Sequence, residues 1–144
     1  MDLSVRPNEG SVIHYSFLWS NEHEAGITEG KKDRPSIVIL TSDNGKFLVA
    51  PITHRGAVEM TGLEIPTKLK RQLGLDEDKS WVVASDLNRF TWPGFDLRKV
   101  PGADKDTCIY GSVPPEFLSQ IRSLLASLLK KNLVATIDRD EGPS

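Results

Sequence analysis

The chain has 144 residues, 38% of them hydrophobic and 26% charged, with a formal net charge of −2 and a pI near 5.9. That is the size and balance of one globular domain. The charge excludes a protein that coats nucleic acid by bulk electrostatics, though not one that grips a few phosphates locally. The single cysteine, Cys108, excludes an intrachain disulfide and reads as a packed thiol in a strand. The apolar runs are too short to span a bilayer, and Met1–Arg6 lacks the basic start and apolar core of a signal peptide, so the cytoplasm is the expected location.

In chain order, residues 1–9 read as an N-terminal tail, 10–137 as the domain and 138–144 as a frayed polar tail. Val12–Trp19 is rich in β-branched and aromatic residues and predicts a strand. Ser20–Lys32 is polar, contains Gly26 and Gly30, and predicts a long loop. Arg34–Ser42 predicts a second strand, with Pro35 near its start, where a missing N–H costs least. Asp43-Asn44-Gly45-Lys46 predicts a tight turn, because Asn-Gly supplies positive φ, and Phe47–Thr53 returns as the partner strand. Arg55–Gly62 predicts a loop and Gly62–Ile65 a short strand. Pro66–Leu73 predicts a short helix stopped by Gly74. Ser80–Ala84 predicts a strand, Ser85–Phe90 an extended or turning segment, and Trp92-Pro93-Gly94 a turn. Phe95–Val100 and Asp106–Gly111 predict further strands. Pro114-Pro115 opens the one long helix, whose apolar positions Phe117, Leu118, Ile121, Leu124, Leu125 and Leu128 share a face. Many short strands with one terminal helix predict a compact β structure packed by a helix.

Two segments carry the candidate chemistry. Glu29-Gly30-Lys31-Lys32-Asp33-Arg34-Pro35 runs into Ser36-Ile37-Val38-Ile39-Leu40, and Val49-Ala50-Pro51-Ile52 ends in Thr53-His54. A hairpin places an acid, a fixed cation, a hydroxyl and an imidazole at the outer ends of two adjacent strands. Arg34 offers a planar fork of donors matched to phosphate oxygens. Glu29 could orient Arg34 or accept a proton, and serves as a base only if burial raises its pKa. His54 titrates near neutrality, but successive strand residues face opposite ways, so it turns from Thr53 unless the strand has ended. Lys31, Lys32, Arg55, Asn88, Arg89 and Trp92 are candidates to line an RNA path, the cations on the backbone and the aromatic on bases. From Thr28 to Arg71, eight Lys and Arg face five acids, so local charge is positive where the candidate site lies.

The order of these motifs resembles the MazF/PemK (Kid) toxins of bacterial toxin–antitoxin systems. Those proteins have a Glu in a glycine-containing loop, then Arg-Pro and a Val/Ile run, then a second strand ending in Thr. The matching residues are Glu29, Arg34-Pro35, Ile37-Val38-Ile39 and Pro51-Ile52-Thr53, with weaker similarity through Ser85-Asp86-Leu87-Asn88-Arg89 and Pro115-Glu116-Phe117-Leu118. The resemblance implies a mainly β fold, an SH3-like partly open barrel of antiparallel strands with a short helix and a C-terminal helix, forming a homodimer. It also implies a cognate antitoxin as partner and places Thr53 near a scissile phosphate. The function implied is a metal-independent, sequence-specific endoribonuclease that cuts single-stranded RNA through its 2′-hydroxyl, with Arg34, Thr53, Glu29 and His54 in the catalytic group. The sequence has no P-loop, dinucleotide, HExxH or nucleophile-elbow motif, and His14, His23 and His54 lack metal-ligand spacing, so no cofactor and no metal are expected. The same fold also serves toxins that act by contact alone, as CcdB-type gyrase poisons do. A non-catalytic binder is therefore the competing reading.

Overall fold

The computed structural model describes residues 1–26, 33–54 and 60–140. They form strands β1 (Ser11–Ser16), β2 (Asp33–Thr41), β3 (Lys46–Thr53), β4 (Gly62–Glu64), β5 (Trp81–Val83), β6 (Asp86–Thr91), β7 (Ile109–Ser112) and β8 (Ala135–Asp138). The helices are α1 (Ser20–Glu24), α2 (Thr67–Leu73) and α3 (Pro115–Lys130). The β2–β3 hairpin is the spine of the sheet. Its turn closes where the Asn-Gly pair predicts, with the Gly45 N–H donating to the Ser42 carbonyl at 3.0 Å and Gly45 at φ +81°. That conformation costs glycine nothing and most other residues a clash.

From this hairpin the sheet runs β4-β5-β3-β2-β1-β7, while β6 leaves the path to pair with β3 and β8. The ends do not meet, so the barrel is partly open. Among the described residues the sheet is antiparallel except for one pair. β8 lies parallel to β6, with Leu87 beside Thr136 and Asn88 beside Ile137. Two cores form on the two faces. Val12, Ile37, Ile39, Ala50 and Ile52 lie on the first, under Leu69 and Leu73 of α2 and Phe117, Ile121, Leu125 and Leu128 of α3. Each such large side chain contributes about 1.5–3 kcal/mol when fully buried. Ile13, Tyr15, Phe17, Val38, Phe47, Val49, Phe90 and Cys108 form the second. The alternation of period two along β1, β2 and β3 divides the residues between the cores.

Three expectations need correction. The polar Ser20–Lys32 stretch begins with a helical turn, α1, whose Ser20 N–H and hydroxyl are both bound by the Asp86 carboxylate. Phe95–Val100 is not a strand: its one bridge joins Leu97 to Tyr15. The expected frayed tail is docked at its start. Arg139, with 4% of its side chain exposed, donates to the Ser16 carbonyl at 2.8 Å, to Asn88 Oδ1 at 3.0 Å and to Asp96 Oδ1 at 2.8 Å. Asp140 accepts from the Thr91 N–H and hydroxyl at 2.9 and 2.6 Å and pairs with Lys46. The N-terminal residues are also tied in, because Glu9 accepts from Arg122 at 2.7 Å and from the Thr41 N–H at 2.9 Å. Among the described residues, no helix is long and apolar enough to cross a membrane.

Candidate functional site

The β2–β3 register sets Ser36 opposite Pro51 and Ile37 opposite Ala50. Carried two residues further along both strands, it sets Arg34 opposite Thr53. The neighbouring registers extend the row: Tyr15 of β1 pairs with Arg34, Thr53 pairs with Trp81 of β5, and Trp81 pairs with Glu64 of β4. Directly paired residues present their side chains on one face. A guanidinium and a hydroxyl thus sit side by side, with an aromatic on each flank. The face is that of the second core, because Arg34 and Thr53 alternate with Val38 and Val49.

Arg34 is half-buried, and its guanidinium carbon lies 5.2 Å from the Trp19 ring centroid. That cation–π contact holds the flat fork while leaving its charge intact. Thr53 is 5% exposed, so little of its side chain meets solvent.

His54 comes next in the chain and faces the other way. Its Nε2 lies 2.9 Å from Asp76 Oδ2, and its Nδ1 lies 3.1 Å from the Lys79 carbonyl and 3.2 Å from Ser80 Oγ. Asp76 also pairs at 3.2 Å with Lys70, a lysine buried at 3% exposure in α2. The His54 ring therefore ties the end of β3 to the helix side. Ligand atoms of His54, Asp76 and Asp78 fall within 4.8 Å of one another, a grouping that histidine spacing does not reveal. All three residues are exposed, and Asp76 is already held by the Lys70 ammonium.

The other candidates divide. Glu29, Lys31, Lys32 and Arg55 lie outside the described residues. Asn88 is fully buried. Its amide accepts from the Leu18 N–H at 3.0 Å and donates to the Leu18 carbonyl at 2.7 Å, so it clasps the chain after β1 instead of facing a ligand. Trp92 stacks on Phe47 at 5.7 Å between centroids and packs on the second core. Arg89 is exposed and pairs with Asp138 at 2.9 Å.

Residues not singled out from sequence also matter. Trp81 joins the Arg34–Thr53 row only through cross-strand pairing, which no linear motif encodes. Asp86 shares a face with Asn88 and Phe90 by alternation. Burial raises its carboxyl pKa, against the lowering effect of its bonds to Ser20. On the opposite face, His14 is 8% exposed, with Nδ1 2.8 Å from the Tyr110 hydroxyl. Desolvation lowers the His14 pKa, so the ring is held neutral, and burial pushes the Tyr110 hydroxyl up to about 12.

No family model matches this sequence, and no curated protein matches it. Solved structures do. MazF (Form-I) from Deinococcus radiodurans superposes with a TM-score of 0.58 at 20% identity, covering 88% of this chain and 99% of that one. The MazE–MazF complex (Form-II) from the same organism gives 0.57 at 20% identity, covering 88% and 98%. An endoribonuclease in complex with its cognate antitoxin from a mycobacterial species gives 0.56 at 14% identity, covering 87% and 96%. The chain has the fold of the MazF structures.

Proposed function

We propose that this protein is the toxin of a type II toxin–antitoxin pair and a metal-independent endoribonuclease acting on single-stranded RNA. The observation that carries the reading is the β2–β3 register, Ser36 opposite Pro51, which extended by two residues brings Arg34 opposite Thr53 on one face at the end of the hairpin. RNA brings its own nucleophile. An enzyme need only align the 2′-hydroxyl with the phosphorus, remove its proton and stabilise the charge that grows on the phosphate. Arg34 holds two phosphate oxygens and neutralises that charge. Thr53 donates a hydrogen bond to a phosphate oxygen. His54 is turned toward Asp76 and takes no part, so proton removal is assigned to Glu29, which precedes β2 in sequence. The oxygen–phosphorus bond to the 5′-hydroxyl leaving group breaks as the 2′-oxygen attacks, and the product ends in a 2′,3′-cyclic phosphate. The likeness to antitoxin-bound structures supports a protein antitoxin as partner, and the family resemblance supports a homodimer.

The test is incubation of purified protein with a long single-stranded RNA, with and without EDTA. Cleavage that survives EDTA, leaves cyclic phosphate ends and stops when the ribose 5′ to the cut is replaced by deoxyribose is expected. Cutting of an all-deoxy strand, or EDTA-killed activity restored by a divalent ion, overturns the reaction class. Folded protein that leaves RNA whole returns the reading to a contact-only binder. Sedimentation is expected to show twice the 16.0 kDa chain mass.

A further inference from the structure

The chain has three tryptophans. Among the described residues, two have clear packing duties: Trp19 and Trp92 both lie against the second core, Trp19 under the Arg34 guanidinium and Trp92 on the Phe47 ring. Among the described residues, Trp81 belongs to neither core cluster, and it is only half-buried. A large ring left half-buried on a strand keeps apolar surface where a ligand can reach it. Its position is the informative part. Trp81 is the direct cross-strand partner of Thr53, and the β2–β3 register, extended two residues from Ser36 and Pro51, brings Thr53 opposite Arg34. Adjacent strands lie about 4.8 Å apart, so Trp81 is about 10 Å from Arg34 across the sheet. That is the reach of a nucleoside attached to a phosphate held between Arg34 and Thr53. β5 is fixed on both sides, by β3 at Val82 and Trp81 and by β4 at Val83, Val82 and Trp81, so the ring is carried on a paired strand and not on a loop.

We propose that Trp81 is the base platform of the cleavage centre: it stacks the unpaired base next to the scissile phosphate, so that binding of the base sets the register of the cut. This rests on the ribonuclease reading above. An indole face accepts any base by stacking, at low entropic cost because the ring has few rotors. The platform therefore supplies position, and base identity is read elsewhere.

The experiment pairs protein variants with RNA variants. The cut in a short RNA is mapped first. A 2′-O-methyl copy, which binds but lacks the nucleophile, is then made with and without an abasic site in place of each base flanking the cut. Wild-type protein, Trp81→Ala and Trp81→Phe are titrated with each strand. Removing one flanking base is expected to weaken wild-type binding about 5- to 100-fold, the range of a base–aromatic stack. Trp81→Ala is expected to lose that much on the intact strand and to be indifferent to the abasic site, while Trp81→Phe keeps most of the affinity. A merely structural tryptophan would weaken binding to all strands equally and leave the abasic effect in place, which overturns the proposal. If Trp81→Ala binds every strand as wild type does, while Arg34→Ala still stops cleavage, Trp81 is no platform and the ribonuclease reading stands. Wild-type protein that neither cuts nor binds RNA overturns both.

Discussion

Two faces of the same strand ends carry different business. On one, the Arg34 guanidinium lies over the Trp19 ring and Thr53 is paired with Trp81. On the other, one residue along each strand, Asp33 and His54 turn toward ion pairs: Asp33 to Arg98 at 3.9 Å, His54 to Asp76 and through it to Lys70. The first face gathers a fixed cation, a hydroxyl and aromatic surface, the equipment for a phosphate and a base. The second uses its charges to hold α2 and the Arg98 segment that runs beside β1. Neighbours in the chain are thus not neighbours in chemistry, and a one-residue slip in register would exchange the two sets.

The sharpest way to break this contrast is on the first face. Arg34→Ala is expected to lower the single-turnover cleavage rate about 100- to 1,000-fold, the scale seen when a donor to transition-state charge is removed. His54→Ala, one residue beyond Thr53 on the other face, is expected to leave that rate within about twofold. A parallel loss in both variants, at matched folded concentration, would show that the faces are not separate. Arg139→Ala tests what fixes the first face from behind. It removes the Arg139 guanidinium from the Asp96 carboxylate, 16% exposed, and donors from Ser16 and Asn88. Breaking such a pair costs about 3 kcal/mol, a melting temperature lower by roughly 6–12 °C, with the RNA cut site unmoved. Thr53→Val keeps the shape and deletes one hydrogen bond to a charged group, worth about 1.5–3 kcal/mol. Cleavage should slow by roughly 10- to 100-fold with RNA affinity nearly unchanged, whereas lost affinity at an unchanged rate would make Thr53 a binding contact only.

How far the sequence could be read depends on the range of the signal. The β2–β3 hairpin was legible because its information is local: alternating apolar residues, an Asn-Gly turn and the Pro35 start. α2 and α3 were legible from Pro at one end and, for α2, Gly74 at φ +70° at the other. That hairpin also put Arg34 and Thr53 at the outer ends of adjacent strands, whereas His54 stood among the catalytic candidates because its aim depended on where β3 ends, and its ring contacts Asp76. What lay hidden was long-range. Ala135–Asp138 is too short and mixed to announce a strand, and only β6 gives it one. Arg139 reads as tail polarity until Ser16, Asn88 and Asp96, far apart in sequence, close around it. Asn88 looked like a surface amide because nothing local shows that Leu18 offers both its N–H and its carbonyl. Trp81 is invisible as a site residue without the β3–β5 register.

The smallest expected effect concerns the second face. His14 lies on β1 at 8% exposure, with Tyr110 on its Nδ1. Desolvation lowers its pKa, and nearby Arg98 lowers it further, while Asp33 acts the other way. The folded state therefore binds a proton less readily than the unfolded chain, whose histidine titrates near 6.5. Above 6.5 both states hold the ring neutral and the group is silent. As the pH falls through 6.5 the unfolded chain takes up a proton that the fold resists, so stability falls, and it goes on falling until the folded ring also titrates. Asp86 carries the opposite sign, because its raised pKa makes the fold the better proton acceptor above 3.8. The two can be separated with His14→Gln, which keeps an amide for Tyr110 but cannot titrate. The melting temperature of the wild type should drop as pH is lowered from 7 through 6.5, and the variant should show a flatter curve whatever its absolute stability. An equal slope in both proteins would mean that His14 is not what the second face holds neutral.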